Sequence, residues 1–300
     1  MVMTGPQNDF EVSVIVPMRD AATTIAAQLQ ALSQQDFDGR WEVIVVDNGS
    51  KDHSVEIVRS LRTLLPHLRI VDASTIPGAA HARNRGVEHA HGDLLLFCDA
   101  DDVVTTTWIK AMVARLRVVD IVGSRFDIRA LETDLDLAQL PVHQSDPRNL
   151  TETPVPAWAG GGGLGIHRGL LLLHGGWDER LHRGEDVELC WRLVAKGHSL
   201  QIVDDAIVLW RSPPTLVAAM RRQFLAGSCT PAIGAALEER GITPSMLRRP
   251  LSAVARHWGS LALRIPGLMF SSSYRHTWLI DVAGQAGRAY GSLRHRRLCL

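Results

Sequence analysis

Apolar and polar positions alternate along this chain in two rhythms, and the rhythms take turns. The run VSVIV at 12–16 is short and β-branched, which marks a strand covered on both faces. Ile25, Leu29 and Leu32 then recur at helical spacing, behind Thr23 and Thr24, either of which can cap. EVIVV at 42–46 predicts a second strand. The turn cluster DNGSKD follows it, and Val55, Val58, Leu61 and Leu65 mark the next helix. RIV near Val71 predicts a short third strand, GAAHARNRGVEHA a loop and a helix, and DLLLF a fourth strand. Strands alternating with helices at this spacing imply βαβ units. The expected class is α/β, a mostly parallel sheet flanked by helices.

The pattern loosens after Arg125. Residues 127–155 carry several acids and prolines and read as an irregular excursion. The glycine-rich AGGGGLGIHRG follows and reads as a flexible loop. Val187, Trp191 and Val194 then make a helical face that Gly197 can terminate. LQIVDDAIVLW supplies late strand material, and from about Pro213 the chain reads as mostly helical.

Charge divides the chain where composition does not. Lys+Arg and Asp+Glu balance at 32 each, so the whole gives no steer toward nucleic acid, and no nucleic-acid partner is expected. From 248 to 300, however, there are nine arginines, no lysine and one acid, Asp281. This basic tail, with Trp258, Leu261, Leu263, Met269 and Trp278 among its arginines, has two readings. It is either a helical cap packed on the rest, or helices lying at an anionic membrane surface. The four cysteines lack CxxC spacing, which argues against a zinc site or a disulfide framework and fits a reducing cytosol. No basic leader and no uninterrupted apolar stretch of about 18 residues is seen. The expected location is cytoplasmic, with the inner face of the cell membrane as the place for any peripheral contact.

Three groups of acids fall at predicted strand ends: Asp20 after the first strand, Asp47 after the second, and Asp99, Asp101 and Asp102 after the fourth. In an open parallel sheet, ligands bind beyond those ends. Converging carboxylates repel one another unless a cation or a donor-rich ligand sits among them. Oxygen ligands of this kind suit Mg²⁺ or Mn²⁺, and Mg²⁺ commonly shares its coordination with substrate phosphates. The bland alternative is that each aspartate caps a turn. For Glu185 and Asp186, just before a helix, the bland alternative is complementing the helix dipole.

Six segments, VSVIVPMRDAATTI, EVIVVDNGSKD, GAAHARNRG, GDLLLFCDADD, GGWDERL and GEDVELCWRL, resemble in order the pattern of family-2 glycosyltransferases over residues 11–211. The resemblance implies a GT-A fold, Rossmann-like, in residues 1–215, with 216–300 as a helical, basic C-terminal extension. It implies a nucleotide-diphospho-sugar donor and a hydroxyl acceptor, which could be a glycan, a lipid-linked sugar or a small molecule. Pro17, Asp20 and Asp47 would line the nucleotide pocket, with Asp47 facing base or ribose. Arg83 would lie near the donor phosphates. Asp99 and Asp101 match a DxD-type metal motif, with Asp101 favoured as the direct ligand. Asp186 matches the base of inverting members. These roles are chemically sensible: a divalent ion stabilises charge on a leaving diphosphate, and a carboxylate assists a high-pKa hydroxyl.

The chain departs from the pattern at AIVLWRSPP. Many relatives carry a histidine where Trp210 stands, and a tryptophan cannot bind a hard cation. Three expectations stay open: water or phosphate fills that coordination place, Arg211 contacts the diphosphate instead, or metal dependence is weakened. The asparagine usual in the first loop is Asp20, and the processive signature QxxRW is absent, RRQFLAG at 221–227 being the nearest text. The expectation is single-sugar transfer in cell-envelope or polysaccharide biosynthesis. The competing reading is a non-catalytic nucleotide-sugar-binding partner of an envelope-assembly complex. GGGGLG at 160–165 satisfies GxGxxG but follows prolines, so a dinucleotide site is not expected. It reads as an acceptor-side loop. Trp158 and Trp177 flank it and could stack on a sugar, although packing is commoner for such rings.

Overall fold

The strand β1 (Val12–Met18) is buried at every position except the partly exposed Pro17. That run of apolar side chains can be satisfied only by cover on both faces. The strands β2 (Trp41–Asp47) and β4 (Leu94–Phe97) pair with it in parallel, Ile15 lying opposite Ile44 and Phe97. β3 (Leu68–Asp72) adds in parallel beyond β2. The structure, a computed structural model, describes residues 10–127, 158–243, 251–265 and 272–296. The expected excursion at 127–155 lies almost wholly outside them.

Four more strands complete a mixed sheet: β5 (Val103–Val104), β6 (Ile121–Asp127), β7 (Leu164–His167) and β8 (Leu200–Leu209). The order is β3-β2-β1-β4-β7-β6-β8-β5. β7 joins β4 and β6 antiparallel, β6 and β8 run parallel, and β5 pairs antiparallel with β8. The helices α1 (Ile25–Ser33), α2 (Ser54–Ser60) and α4 (Trp108–Leu116) close one face over Val14, Val16, Val43 and Val45. The other face, with Ile15, Ile44 and Phe97, is closed by α3 (Ala79–His89), α5 (Arg168–Leu173) and α6 (Glu185–Ala195). Alternate residues of one strand thus feed two cores, as the pleat requires.

The C-terminal extension is helical and packed. Thr215 caps α7 (Leu216–Glu239) by accepting from the Ala218 amide. The helix α9 (Ser272–Arg294) lies against α7 at backbone range. A Cβ added at Gly287 would stand 2.0 Å from the Phe224 carbonyl, and one at Gly291 2.3 Å from that of Ser228. Glycine is therefore dictated by close approach rather than by turn geometry. Ile233 and Leu237 of α7 pack on Trp191 of α6, and Asp178 accepts from Arg180 and from Arg240 at 2.8 Å. Between them α8 (Leu251–Leu263) is pinned by the Trp278 indole donating to the Leu261 carbonyl, and it leaves Trp258 and Leu263 exposed. No helix among the described residues is long and apolar enough to cross a membrane.

Candidate active site

Beyond the carboxyl ends of β1, β2 and β4 lies a cavity of about 1120 Å³. Small-molecule sites usually span roughly 300–1,000 Å³, so there is room for a donor nucleotide and part of a second substrate. The first wall comes from the β1 loop. Pro17 and Asp20 line it, and Asp20 adopts a left-handed φ of 50°, which a short polar side chain tolerates. Its amide donates to Ser50 Oγ and its carboxylate accepts from the Lys51 amide at 2.7 Å, tying the β1 and β2 loops together. Asp47 accepts from the Ser50 amide at 3.1 Å and so caps its own turn. From that turn it is Asn48, not Asp47, that lines the cavity. The Asn48 side chain donates to the Ala73 and Ile76 carbonyls and accepts from the Gly78 amide. Its bonds fix the entry to α3.

The acids after β4 converge as their spacing implies. One carboxylate oxygen from each of Asp99, Asp101 and Asp102 lies within 4.8 Å of the others. Asp101 reaches solvent, but partial desolvation inside the cavity, and then the charge of Asp99, push it up from the ordinary carboxylate range. Burial and the same acidic neighbours push the buried Asp102 well above it. Asp102, the acid with the least obvious purpose in the sequence, accepts from the Arg211 amide at 3.0 Å. It therefore ties the β4 turn to the segment after β8. Gln28 of α1 donates to the Asp99 carbonyl and accepts from the Val104 amide, holding the turn from behind. An all-oxygen donor set with mutual repulsion fits a hard divalent cation in its chemistry.

Arg83 joins this cluster to the opposite wall. Its guanidinium donates to Asp99 at 2.9 Å and to Glu185 at 2.7 Å, and it stacks 4.8 Å over the Trp177 ring. Burial works against its charge, but Asp99 and Glu185 outweigh it and raise its pKa. One buried donor, Nε, has no hydrogen-bond partner among the described residues. Trp177 is 2% exposed and meets Phe97 edge-on at 5.1 Å, so it is core and floor to Arg83, not a surface for a sugar. Trp158 does line the cavity.

The glycine-rich segment departs from the expected flexible loop. Gly161–Gly163 form a buried 3-10 turn that leads directly into β7. A Cβ at Gly161 would meet the Arg83 guanidinium at 2.7 Å, and one at Gly162 the Asp99 carboxylate at 2.5 Å. The Gly161 amide donates to Asp186 Oδ2 at 3.1 Å. One turn therefore touches the arginine, the acidic cluster and Asp186. Gly162→Ala is expected to displace Asp99 from Arg83 and lower turnover by about tenfold to a hundredfold. Gly169→Ala, where a Cβ meets nothing within 4 Å, should leave turnover unchanged. Steady-state rates of the two variants check this, and equal rates would refute the close-packing argument.

Asp186 stands in the first turn of α6, behind Gly184 with its left-handed φ of 77°. The second carboxylate oxygen accepts from the Val187 amide at 2.8 Å. Burial, and then the adjacent Glu185 carboxylate, lift the Asp186 carboxyl to about 6. On the far side, Trp210 and Arg211 line the cavity, and Arg211 Nε donates to the Asp101 carbonyl. Arg222 of α7, in the RRQFLAG text that only approaches the processive signature, lies over the Trp210 ring at 4.1 Å.

Residues 13–169, more than half of the chain, match the model of the family described as Glycosyl transferase family 2. Glycosyltransferase AglE of Haloferax volcanii is 28% identical over 226 residues, 72% of this chain and 71% of that one. The pre-mycofactocin glycosyltransferase of Mycobacterium tuberculosis is 27% identical over 76% of this chain, a match spanning 48% of the relative's length. Among solved structures, the mannosyltransferase PcManGT from Pyrobaculum calidifontis, in complex with GDP-Man and Mn²⁺, has a TM-score of 0.63 at 20% identity. That likeness covers 96% of this chain and 89% of that one. TarS 1–349 of S. aureus, in complex with UDP-GlcNAc, gives 0.51 at 17% identity over 96% and 92%. With its mixed eight-stranded sheet, strand-end acids and matching family model, the chain belongs to glycosyl transferase family 2 and is a glycosyltransferase of GT-A fold.

Proposed function

We propose that this enzyme moves a single sugar from a nucleotide-diphospho-sugar to a hydroxyl acceptor, with inversion and with help from Mg²⁺ or Mn²⁺. Residues 1–215 supply the catalytic unit, and 216–300 the extension that covers it. The observation that carries the reading is the glycine turn, which holds Asp186 by the Gly161 amide and backs the Asp99 carboxylate with Gly162. A proton acceptor and the diphosphate end of the site thereby share one wall. A sugar seated against that wall between Asp186 and the acidic cluster could then undergo a single in-line displacement, with hydroxyl attack from the Asp186 end and diphosphate departure at the Asp99 end.

Each residue then has a task. Asp186 takes the acceptor proton, and its raised pKa keeps it basic enough for that work near neutrality. Asp99 and Asp101 would hold the divalent ion, which supplies charge stabilisation to the diphosphate. Arg83 orients Asp99 and contributes positive charge beside it. Pro17, Asp20 and Asn48 shape the nucleotide end, with Asp47 supporting the turn that carries Asn48. Similarity to proteins solved with GDP-Man and with UDP-GlcNAc supports a nucleotide-sugar donor without selecting the base.

Thermal denaturation with UDP-, GDP- and dTDP-sugars in Mn²⁺ tests the reading. One base class should raise the melting temperature, since ligand at about 100 times its Kd adds about 2.7 kcal/mol. The anomeric configuration of the transfer product, read by NMR, should be opposite to that of the donor. No shift with any of the three, or a retained anomer, would overturn it.

A further inference from the structure

The cavity contains a cation that the strand-end motifs leave unused. Arg222 sits in the second turn of α7, lines the cavity and lies 4.1 Å over the indole of Trp210. Among the described residues it makes no hydrogen bond or ion pair. A guanidinium carries five donors in a planar fork, and an indole face satisfies none of them. The nearest charges divide in sign. Asp101 and Asp102 across the cavity hold its charge in place, whereas Arg183 opposes it and burial works against it most of all. A cation kept in partial burial with idle donors costs free energy unless a ligand repays it.

We propose that Arg222, held flat on Trp210, is a contact for the donor diphosphate, supplied by the C-terminal extension. This rests on the glycosyltransferase reading above and deepens it. The indole at position 210 cannot coordinate a hard cation, but it can fix the plane and height of a guanidinium facing the acidic cluster. Planar, bidentate capture of phosphate oxygens is what that fork does best. Arg211 spends its Nε on the Asp101 carbonyl and keeps its four Nη hydrogens, so the two arginines can meet the diphosphate from different elements. The extension thereby becomes part of the active site and not only its cover. Leaving-group charge would meet Arg222 on one side and the strand-end acids with their cation on the other.

The test compares nucleoside mono- and diphosphates, UMP with UDP, GMP with GDP and dTMP with dTDP, by calorimetry in Mn²⁺. The wild type should prefer the diphosphate of its own base. Arg222→Met should shrink that preference by about tenfold to a hundredfold, the usual range for a hydrogen bond to a charged group. Monophosphate affinity should stay within about twofold of the wild type by the same argument. Arg222→Gln gives a second uncharged variant with the same expected loss, should the methionine variant not fold. Trp210→Leu, which keeps the arginine and removes its platform, should give an intermediate loss. A merely structural arginine would weaken mono- and diphosphate equally and leave the preference intact, and that result overturns the assignment of Arg222 alone. If the wild type binds none of the three diphosphates, the glycosyltransferase reading falls and this assignment falls with it.

Discussion

Asp186→Asn is expected to lower turnover by about 10²- to 10⁴-fold, the span that general base catalysis supplies, and to leave nucleoside-diphosphate affinity nearly unchanged. Asparagine keeps the size of the side chain and one acceptor for the Gly161 and Val187 amides, but it cannot take a proton. The pH profile gives a second reading of the same residue. A base with a pKa of about 6 is protonated below that point, so wild-type kcat/KM should fall about tenfold per unit as pH drops through 6. That limb should vanish in the variant. The folded protein holds this proton to higher pH than the unfolded chain does. Ionising Asp186 therefore costs stability between about pH 4 and pH 6, a cost tolerated where a charge is needed for function. Retained turnover in Asp186→Asn would remove the residue from the chemistry.

Asp101→Ala is expected to abolish the Mn²⁺ dependence of nucleoside-diphosphate binding and to cut turnover by at least about a hundredfold. Metal stabilisation of a leaving diphosphate is worth several kcal/mol. The structure also fixes the direction of the stability change. Asp101 is crowded by Asp99, and Asp102 by both, so deleting one carboxylate relieves repulsion when no metal is present. In EDTA the variant should therefore melt at or above the wild-type temperature. A lower melting temperature in EDTA would mean that the variant has lost structure, not a ligand. Calorimetry giving one wild-type affinity with and without EDTA would remove the metal from the reading.

The parallel half of the sheet was readable because it is buried on both faces. Runs such as 12–16 and 42–46 leave no polar alternate face to confuse the period, and β4 ends abruptly in the acids it presents. The antiparallel half was hidden. β5 has only two residues and β7 four, and β7 emerges from glycine-rich text whose local composition argues for a loop. What orders that segment is tertiary: Arg83, Asp99 and Ser124 fill the space where side chains would be. Composition at 160–163 cannot distinguish glycine chosen for freedom from glycine chosen for contact. Asp47 shows the converse, since a carboxylate at a strand end matches both a ligand contact and a turn cap, and only geometry shows Asn48 to be the cavity residue. Trp177 was legible as a ring that commonly packs, but not what it packs on, and Arg222 was not marked as a cavity residue. Each acts through a partner outside its own element, Phe97 and Trp210 respectively, and spacing carries no record of such pairs.

The seam between α7 and α9 has a consequence for how this enzyme can diversify. Down one helix, Ala226, Cys229, Thr230 and Ile233 border the cavity, while Phe224, Gly227 and Ser228 meet α9 backbone to backbone. The two stripes obey different rules. On the first, a larger or smaller residue at Ala226 or Thr230 reshapes the volume offered to an incoming substrate, whereas Cys229 and Ile233 also pack on the Trp191 cluster. An added methyl on the second wedges two main chains apart. Within this helix, change in cavity shape is therefore open along one ladder of positions, and the neighbouring ladder acts as the fixed rail that keeps such variants in register.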